Sequence, residues 1–121
     1  MGVRRAKRLR ALLFAALVAV GPRTAEAAGS GNPADDRLAA LPPAAQAKAL
    51  AKTVGHGCVG TSAFAMGVVD TAKWKSLAYW SVQCKDGRSF AIQIDPDPKA
   101  PWAITDCRVL QANGKDCFKK F

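Results

Sequence analysis

Two segments in the second half of the chain, 74–84 and 89–94, alternate between apolar and polar residues. Most of their even positions are apolar, and most of their odd positions are small or polar. A period of two is typical of β-strands that are buried on one face. The residues 85–88 between them are Lys, Asp, Gly and Arg, which favour a turn. The pattern therefore predicts a β-hairpin whose even positions face the core.

The centre of the turn sets the expected register of this hairpin. A turn centred at Gly87 places Val82 opposite Ile92 and Trp80 opposite Ile94. Each apolar residue then meets another apolar residue on the same face of the sheet. The register and the pattern of burial therefore agree.

An earlier strand is predicted before this hairpin. A turn near Thr71 pairs it with the segment 74–84, and its even positions are again apolar. A shared alternation across the turn predicts that these even positions belong to the same buried face. They are Phe64, Met66 and Val68.

A fourth strand is predicted over 102–110, after the proline-rich loop 95–101. Its alternation is ambiguous, because Trp102 and Cys107 compete for the core from opposite faces of such a strand. Residues 113–121 form a turn and a short tail.

The segment 44–54 has a helical period. Its apolar residues recur at i, i+3, i+4 and i+7, which marks one face of an α-helix. They are Ala47, Leu50, Ala51 and Val54. A short helical turn begins before it at Asn32 and Pro33, with Leu38 and Leu41 as its expected buried contacts. Together the elements predict an α+β fold, in which an N-terminal helix packs on a four-stranded antiparallel meander held by two disulfides.

The first 27 residues have the organisation of a signal peptide. Five basic residues between positions 4 and 10 precede an apolar run over 11–20, and Ala-Glu-Ala at 25–27 fits the cleavage site. The apolar run has ten residues, whereas a membrane-spanning helix needs about 20. We therefore expect a signal peptide at 1–27, a flexible leader at 28–34 and a single domain at 35–121.

Removal of the predicted signal peptide changes the charge. The 121 residues include 18 Lys and Arg and 9 Asp and Glu, which gives a formal charge of +9. Residues 1–27 hold six of the basic residues and one acidic residue, so the remainder carries +4. Its basic residues lie in scattered pairs, and Trp80 and Phe90 are expected in the core. Sheets that bind nucleic acid combine clustered charge with exposed aromatic residues, so we expect no nucleic-acid partner.

Four cysteines follow the predicted cleavage site, and an even number in a short exported chain is typical of disulfides. A structural zinc site usually includes a close pair such as Cys-x-x-Cys, which the spacings of 26, 23 and 10 lack. Cys58 and Cys84 lie opposite each other in the predicted sheet, which favours Cys58–Cys84 with Cys107–Cys117. The pairing of Cys84 with Cys107 and of Cys58 with Cys117 stays open.

Two features have the residue types of a chemical site without its partners. His56, the single histidine, is not surrounded by a motif that supplies a nucleophile and an orienting group. Asp95 and Asp97 lie close together, but a calcium loop also needs a central glycine and a late Glu, and no Glu follows residue 26. We therefore expect no enzyme activity, no metal and no cofactor. A small hydrolase that uses His56 is an alternative.

The odd positions of the predicted sheet form its outer face, which is dominated by small residues and amides. We predict a binding face there, formed by Leu77, Tyr79, Gln83 and Gln93. The other interpretation is a solvated face, which is common for one side of an antiparallel sheet.

Three segments, 78–94, 106–110 and 117–121, carry a pattern of cysteine and aromatic residues. In this pattern the chain resembles a group of small, exported, uncharacterised proteins of rhizobia-like alphaproteobacteria. The resemblance covers most of 58–121 and implies export and disulfides, but no activity and no site. We expect a periplasmic or secreted domain that binds a protein or another envelope component and meets the membrane only during export. A structural or stress-related role in the periplasm is an alternative.

Overall fold

The computed structural model describes residues 29–121, and the predicted signal peptide lies outside them. The bounds of the elements are α1 Pro33–Ala39, α2 Pro43–Val54, β1 Gly60–Val69, β2 Leu77–Cys84, β3 Ser89–Ile94, β4 Ala103–Asp106 and α3 Cys107–Ala112. The strands form one antiparallel sheet in the order β1-β2-β3-β4. The predicted α+β class and the four-stranded meander are confirmed. Across residues 29–121, no helix has the length and apolar character that crossing a bilayer requires.

Helix α2 covers one face of the sheet. The apolar stripe of this helix is buried as the sequence predicts, and Leu50 is fully inaccessible. Leu50 and Val54 belong to one core cluster with Trp80 and Ile92 of the sheet. Burial of a Leu or Ile side chain contributes about 1.5–3 kcal/mol. This core is therefore a main source of the fold's stability.

Helix α1 lies at the edge of the same core. Leu38 is buried, whereas Leu41 is 38% exposed, so only the first of the two expected contacts is buried. Asp35 in the first turn accepts a hydrogen bond from the indole Nε1 of Trp80 at 2.7 Å. Because a buried indole N–H needs an acceptor, this contact satisfies the one polar group of the largest core side chain.

Asn32 joins α1 to the sheet. Its Oδ1 accepts a hydrogen bond from the backbone N–H of Asp35 at 3.1 Å and caps the helix. Its Nδ2 donates to the carbonyl oxygens of Ser76 at 2.8 Å and Ile94 at 2.9 Å. Since Asn32 is fully buried, one side chain satisfies three backbone groups in the interior. Asn32 therefore belongs to the folded domain, whereas we predicted that it lies in the flexible leader 28–34.

The β2–β3 hairpin keeps its predicted faces but has a different register. Trp80 lies opposite Ile92, two residues from the predicted partner. The loop is 85–87, and Gly87 at its end has a φ of 97°. A three-residue loop that ends in a left-handed glycine places the turn centre one residue earlier than predicted. Because the shift in pairing is even, every side chain stays on its predicted face.

Strand β1 contains a β-bulge that the alternation of residues does not reveal. A register shift between Ala65 and Gly67 leaves Met66 without a partner on β2. On the N-terminal side of the bulge the two faces are exchanged, so Phe64 lies opposite Ser81, on the face away from α2. The prediction that Phe64 and Met66 share the buried face of the hairpin's even positions is therefore wrong. Gly67, at a φ of 139°, supplies the backbone conformation that the bulge uses.

Two strands are shorter than predicted. Strand β2 begins at Leu77, and Trp74 is 50% exposed in the preceding turn. Strand β4 ends at Asp106, whose side chain accepts a hydrogen bond from the backbone N–H of Arg108 and caps α3. This cap converts the second half of the predicted strand 102–110 into a helix. The change of element explains why the alternation there was ambiguous.

We expect Asn32→Ala to lower the free energy of unfolding by about 2–4 kcal/mol, because it removes the cap and leaves two interior carbonyl groups unpaired. Asn32→Asp keeps an acceptor for the cap but cannot donate, so it is also expected to destabilise the protein. The control is Asn113→Ala, whose amide bonds the exposed carbonyl of Val109 and whose loss is expected to cost less than about 0.5 kcal/mol. Urea unfolding measures all three, and equal stability of Asn32→Ala and wild type would contradict this role.

Candidate functional site

The C-terminal tail, which we define as residues 113–121, lies on the sheet face opposite α2. The backbone N–H of Phe118 donates to Ser81 Oγ at 3.0 Å, and that of Phe121 donates to the Met66 carbonyl at 3.2 Å. Ser81 Oγ also donates to Met66 Sδ at 3.0 Å. Because Ser81 is fully buried, its hydroxyl links both strands and the tail in a place closed to solvent.

Two aromatic contacts hold the tail against the sheet. The rings of Phe64 and Phe118 lie 6.4 Å apart, and those of Tyr79 and Phe121 lie 5.2 Å apart in a nearly perpendicular arrangement. Such pairs contribute about 0.5–1.5 kcal/mol beyond the area they bury. A Cβ at Gly67 would lie 3.1 Å from Phe121 Cδ2, so the bulge glycine also permits the close approach of the tail.

The disulfides join Cys58 to Cys84 and Cys107 to Cys117, with Cα–Cα distances of 5.2 and 5.9 Å. The favoured pairing is confirmed, and residues 29–121 contain no free cysteine. The second disulfide ties the tail to the first residue of α3. Two disulfides in a domain of this size are typical of proteins outside the cytoplasm.

A groove of about 580 Å³, which we call the tail groove, lies between the sheet, α3 and the tail. Its size lies within the range of small-molecule sites in proteins. The sheet contributes Met66, Val69, Tyr79, Ala91, Gln93, Ala103 and Thr105. Helix α3 and the residues after it contribute Leu110, Gly114, Lys115, Asp116, Lys119, Lys120 and Phe121. The groove therefore combines an apolar and weakly polar floor with a charged rim.

A hydrogen-bonded pair lies in the floor of the tail groove. The hydroxyl of Tyr79 donates to Gln93 Oε1 at 2.8 Å, between directly opposed residues of β2 and β3. Both side chains are half-buried. Because this bond uses Oε1, the two N–H groups of Gln93 Nε2 remain donors for a ligand.

The rim of the tail groove carries three lysines and one aspartate. Lys119 Nζ lies 3.9 Å from Asp116 Oδ2, and both groups are exposed. Lys120 Nζ lies 5.7 Å from the centroid of the Phe64 ring. Lys115 is also exposed. Exposed pairs such as Lys119–Asp116 contribute little to stability, so these charges are available to act on a ligand.

The structure places the four residues of the predicted binding face in three different settings. Tyr79 and Gln93 line the tail groove together. Leu77 is buried, 5% exposed, and is not among the residues that line the groove. Gln83 Nε2 donates to the Gly87 carbonyl at 3.2 Å near the β2–β3 turn. The face is therefore covered in part by the tail, and the groove is one accessible part of it.

The other candidate residues lie in exposed loops. His56 is exposed in the turn after α2, and its carbonyl accepts a hydrogen bond from Arg88 Nη2 at 2.9 Å. Asp95 accepts the N–H of Asp97, and Asp97 accepts the N–H of Lys99, so both carboxylates stabilise their own loop. Among residues 29–121, no group of three or more His, Cys, Asp or Glu side chains is arranged to hold a metal ion.

Two aspartate–arginine pairs form a separate charged patch at the other end of β3. Arg88 Nε donates to Asp86 Oδ2 at 2.8 Å, and Arg108 Nη2 donates to Asp106 Oδ2 at 2.9 Å. The side-chain hydrogen bond from Arg108 is the main reason that the pKa of Asp106 lies below its ordinary value. The backbone N–H of Arg88 is the main reason that the pKa of Asp86 is lowered. Both pairs organise turns at the surface.

The sequence indicated the sheet side of the tail groove but not its rim. Tyr79 and Gln93 follow from strand alternation, because residues on opposed strands and on one face lie together. Lys115, Lys119 and Phe121 reach the groove because the tail is held by the Cys107–Cys117 bridge, by backbone hydrogen bonds to the sheet and by two aromatic contacts. The available signal was the pairing of the last two cysteines, which places the tail beside the start of α3.

Comparisons of the chain with protein-family models, with curated proteins and with solved structures give no significant match.

Arg108→Gln is expected to raise the pKa of Asp106 toward its ordinary value of 3.8, because it removes the side-chain hydrogen bonds and the nearby positive charge. A folded-state pKa below the unfolded value stabilises the protein above the unfolded pKa, and this contribution is lost as the pH falls through the folded pKa. Carboxyl ¹³C NMR titration measures the midpoint, with Asp86 as the internal control. An unchanged titration midpoint for Asp106 would show that the side chain of Arg108 does not lower the pKa of this carboxyl group.

Replacing both Cys107 and Cys117 by serine is expected to release the tail and to destabilise the domain by about 2–3 kcal/mol, the chain-entropy value for so short a loop. The amide of Phe118 should then exchange with solvent at least about tenfold faster relative to core amides such as that of Val82. Hydrogen-exchange NMR measures both amides.

The matched control replaces Cys58 and Cys84, which hold the other side of the sheet. This variant also loses stability, but its ratio of Phe118 to Val82 exchange should stay near the wild-type value. Equal ratios in the two variants would show that the second disulfide does not hold the tail.

Proposed function

We propose that the protein is an exported, non-enzymatic binding module of the cell envelope and that the tail groove holds its ligand. The observation that carries this proposal is the groove, which joins an apolar floor, one polar pair and a charged rim in about 580 Å³. Small-molecule sites in proteins have this composition, since apolar walls give affinity and a few placed polar groups give orientation.

One feature of the sequence and one feature of the structure support export. Residues 1–27 have the charge and hydropathy of a signal peptide. Both disulfides require an oxidising compartment to persist. The resemblance to exported alphaproteobacterial proteins favours the same location, which is the periplasm or the exterior of the cell.

The residues of the groove favour binding over catalysis. General acid–base chemistry needs a titratable group held by an orienting partner within hydrogen-bond reach of the substrate. Asp116, the acid that lines the groove, is exposed and lies 3.9 Å from the exposed head group of Lys119. His56 lies in a different loop and does not line the groove. The polar pair of Tyr79 and Gln93 can orient a ligand without changing it.

A steric test separates the groove from the rest of the sheet. Ala103 lines the groove and is exposed, so Ala103→Trp fills part of it without disturbing the core. Ile104, the next residue on β4, is 40% exposed and points to the opposite face. Ile104→Trp is therefore a matched control with the same added side chain on the same strand.

The probe is N-phenyl-1-naphthylamine, a neutral dye that fluoresces in apolar sites. We expect saturable binding to the wild type and to Ile104→Trp, and at least about tenfold weaker binding to Ala103→Trp, because the indole occupies the space of the dye. Circular dichroism and the melting temperature verify that both variants fold. Equal affinity for the two variants, or no saturable binding to the wild type, would reject the groove as a ligand site and favour the structural role.

A further inference from the structure

We infer that the ligand of the tail groove is a small amphipathic carboxylate, with an apolar body and one negative charge. This inference rests on the proposed function, because it names the class of molecule that the same groove takes. It follows from the sign of the charge on the rim, from the apolar floor and from the donors in the polar pair.

The rim is electropositive. Lys115, Lys119 and Lys120 line the groove, against the single carboxylate of Asp116. The Lys119–Asp116 separation of 3.9 Å exceeds a hydrogen bond, so Asp116 neutralises only part of this charge. A carboxylate at the chain end beside Phe121 would offset one more charge and still leave the rim positive. A negative group is therefore attracted to the groove and an ammonium group is repelled.

The floor suits an apolar body. Ala91 and Ala103 are small residues that line the groove, and they leave the space that larger side chains would fill. Met66, Leu110 and the exposed ring of Phe121 add apolar surface around it. Each methylene group of a ligand buried there contributes about 0.8 kcal/mol. An anion without an apolar part would leave this surface unused.

The donors of the floor match a carboxylate. The Tyr79–Gln93 hydrogen bond occupies Gln93 Oε1 and leaves the N–H groups of Gln93 Nε2 to donate to an acceptor in the groove. The hydroxyl of Thr105, on the strand next to Gln93, can donate as well. A carboxylate accepts several hydrogen bonds at two oxygen atoms, so it can use these donors and a rim lysine together.

The size of the groove favours a small molecule over a macromolecule. A stable protein interface buries about 800 Å² on each partner, whereas the tail groove is a local depression between one tail, one short helix and the four strands of one sheet. A molecule of about ten to twenty heavy atoms fits this description.

Displacement of the neutral dye tests the ligand class. The competitors are octanoate, octan-1-ol and octylamine, which share one alkyl chain and differ in the charge of the head group. We expect octanoate to displace the dye at concentrations at least about fivefold lower than octanol, since one close charge pair near a surface is worth about this factor. Octylamine should be the weakest competitor. High salt should raise the concentration of octanoate that is needed to displace the dye and leave the corresponding concentration of octanol unchanged.

A triple variant tests the source of the preference. Lys115→Gln, Lys119→Gln and Lys120→Gln together should bring octanoate and octanol to within about twofold of each other, once each displacement is corrected for the dye affinity measured for that variant. The matched control is Lys48→Gln, Lys52→Gln and Lys75→Gln, which removes the same charge at exposed positions outside the groove. This control should keep the preference for octanoate.

The outcomes separate the two proposals. If octanol and octanoate displace the dye equally from the wild type, the ligand class is wrong and the groove remains a binding site. If both triple variants lose the preference equally, the selectivity comes from net charge and the role of the rim is overturned. If the dye shows no saturable binding to the wild type, the groove is rejected as a ligand site, and the ligand class is rejected with it.

Discussion

Strand β2 is buried on both of its faces. The rest of the structure depends on this burial, because a different segment of the chain must pack on each face. Six of its eight residues are buried. Helix α2 covers the face of Trp80 and Val82, and the C-terminal tail reaches the face of Ser81 through a hydrogen bond and a disulfide. The tail is narrower than a helix and covers its face incompletely. The tail groove is the part of the sheet that this incomplete cover leaves open.

The elements that follow from local pattern are also the ones that the sequence predicts well. The stripe of α2, the meander and the Cys58–Cys84 pair depend on periodicity and on neighbouring strands. The bulge at Met66 and the helix after Asp106 each depend on one residue that overrides the pattern, namely the glycine that follows the bulge and the capping carboxylate. A glycine inside a strand is a known signal for a bulge, so Gly67 is the residue that could have corrected the face of Phe64.

The site could be predicted only in part, because its two sides have different origins. Tyr79 and Gln93 lie on the same face of adjacent strands, as the alternation predicts, and the observed register places them directly opposite each other. The lysines of the rim arrive from a segment with no regular structure, and a contact across 37 residues, Phe118 to Ser81, holds that segment in place. Ser81 and Ala91 are small, so their positions resembled an open, solvated face. Small residues also let another segment of the chain approach closely, and here they let the C-terminal tail pack on the sheet.

The central claim is that the C-terminal tail packs on the second face of the sheet and thereby forms the groove. Proton NMR of the wild-type protein tests it directly through nuclear Overhauser effects between aromatic rings. The account predicts cross-peaks between the rings of Tyr79 and Phe121, whose centroids lie 5.2 Å apart, and between those of Phe64 and Phe118. Random-coil chemical shifts for the tail, with no cross-peak from it to the sheet, would contradict the account.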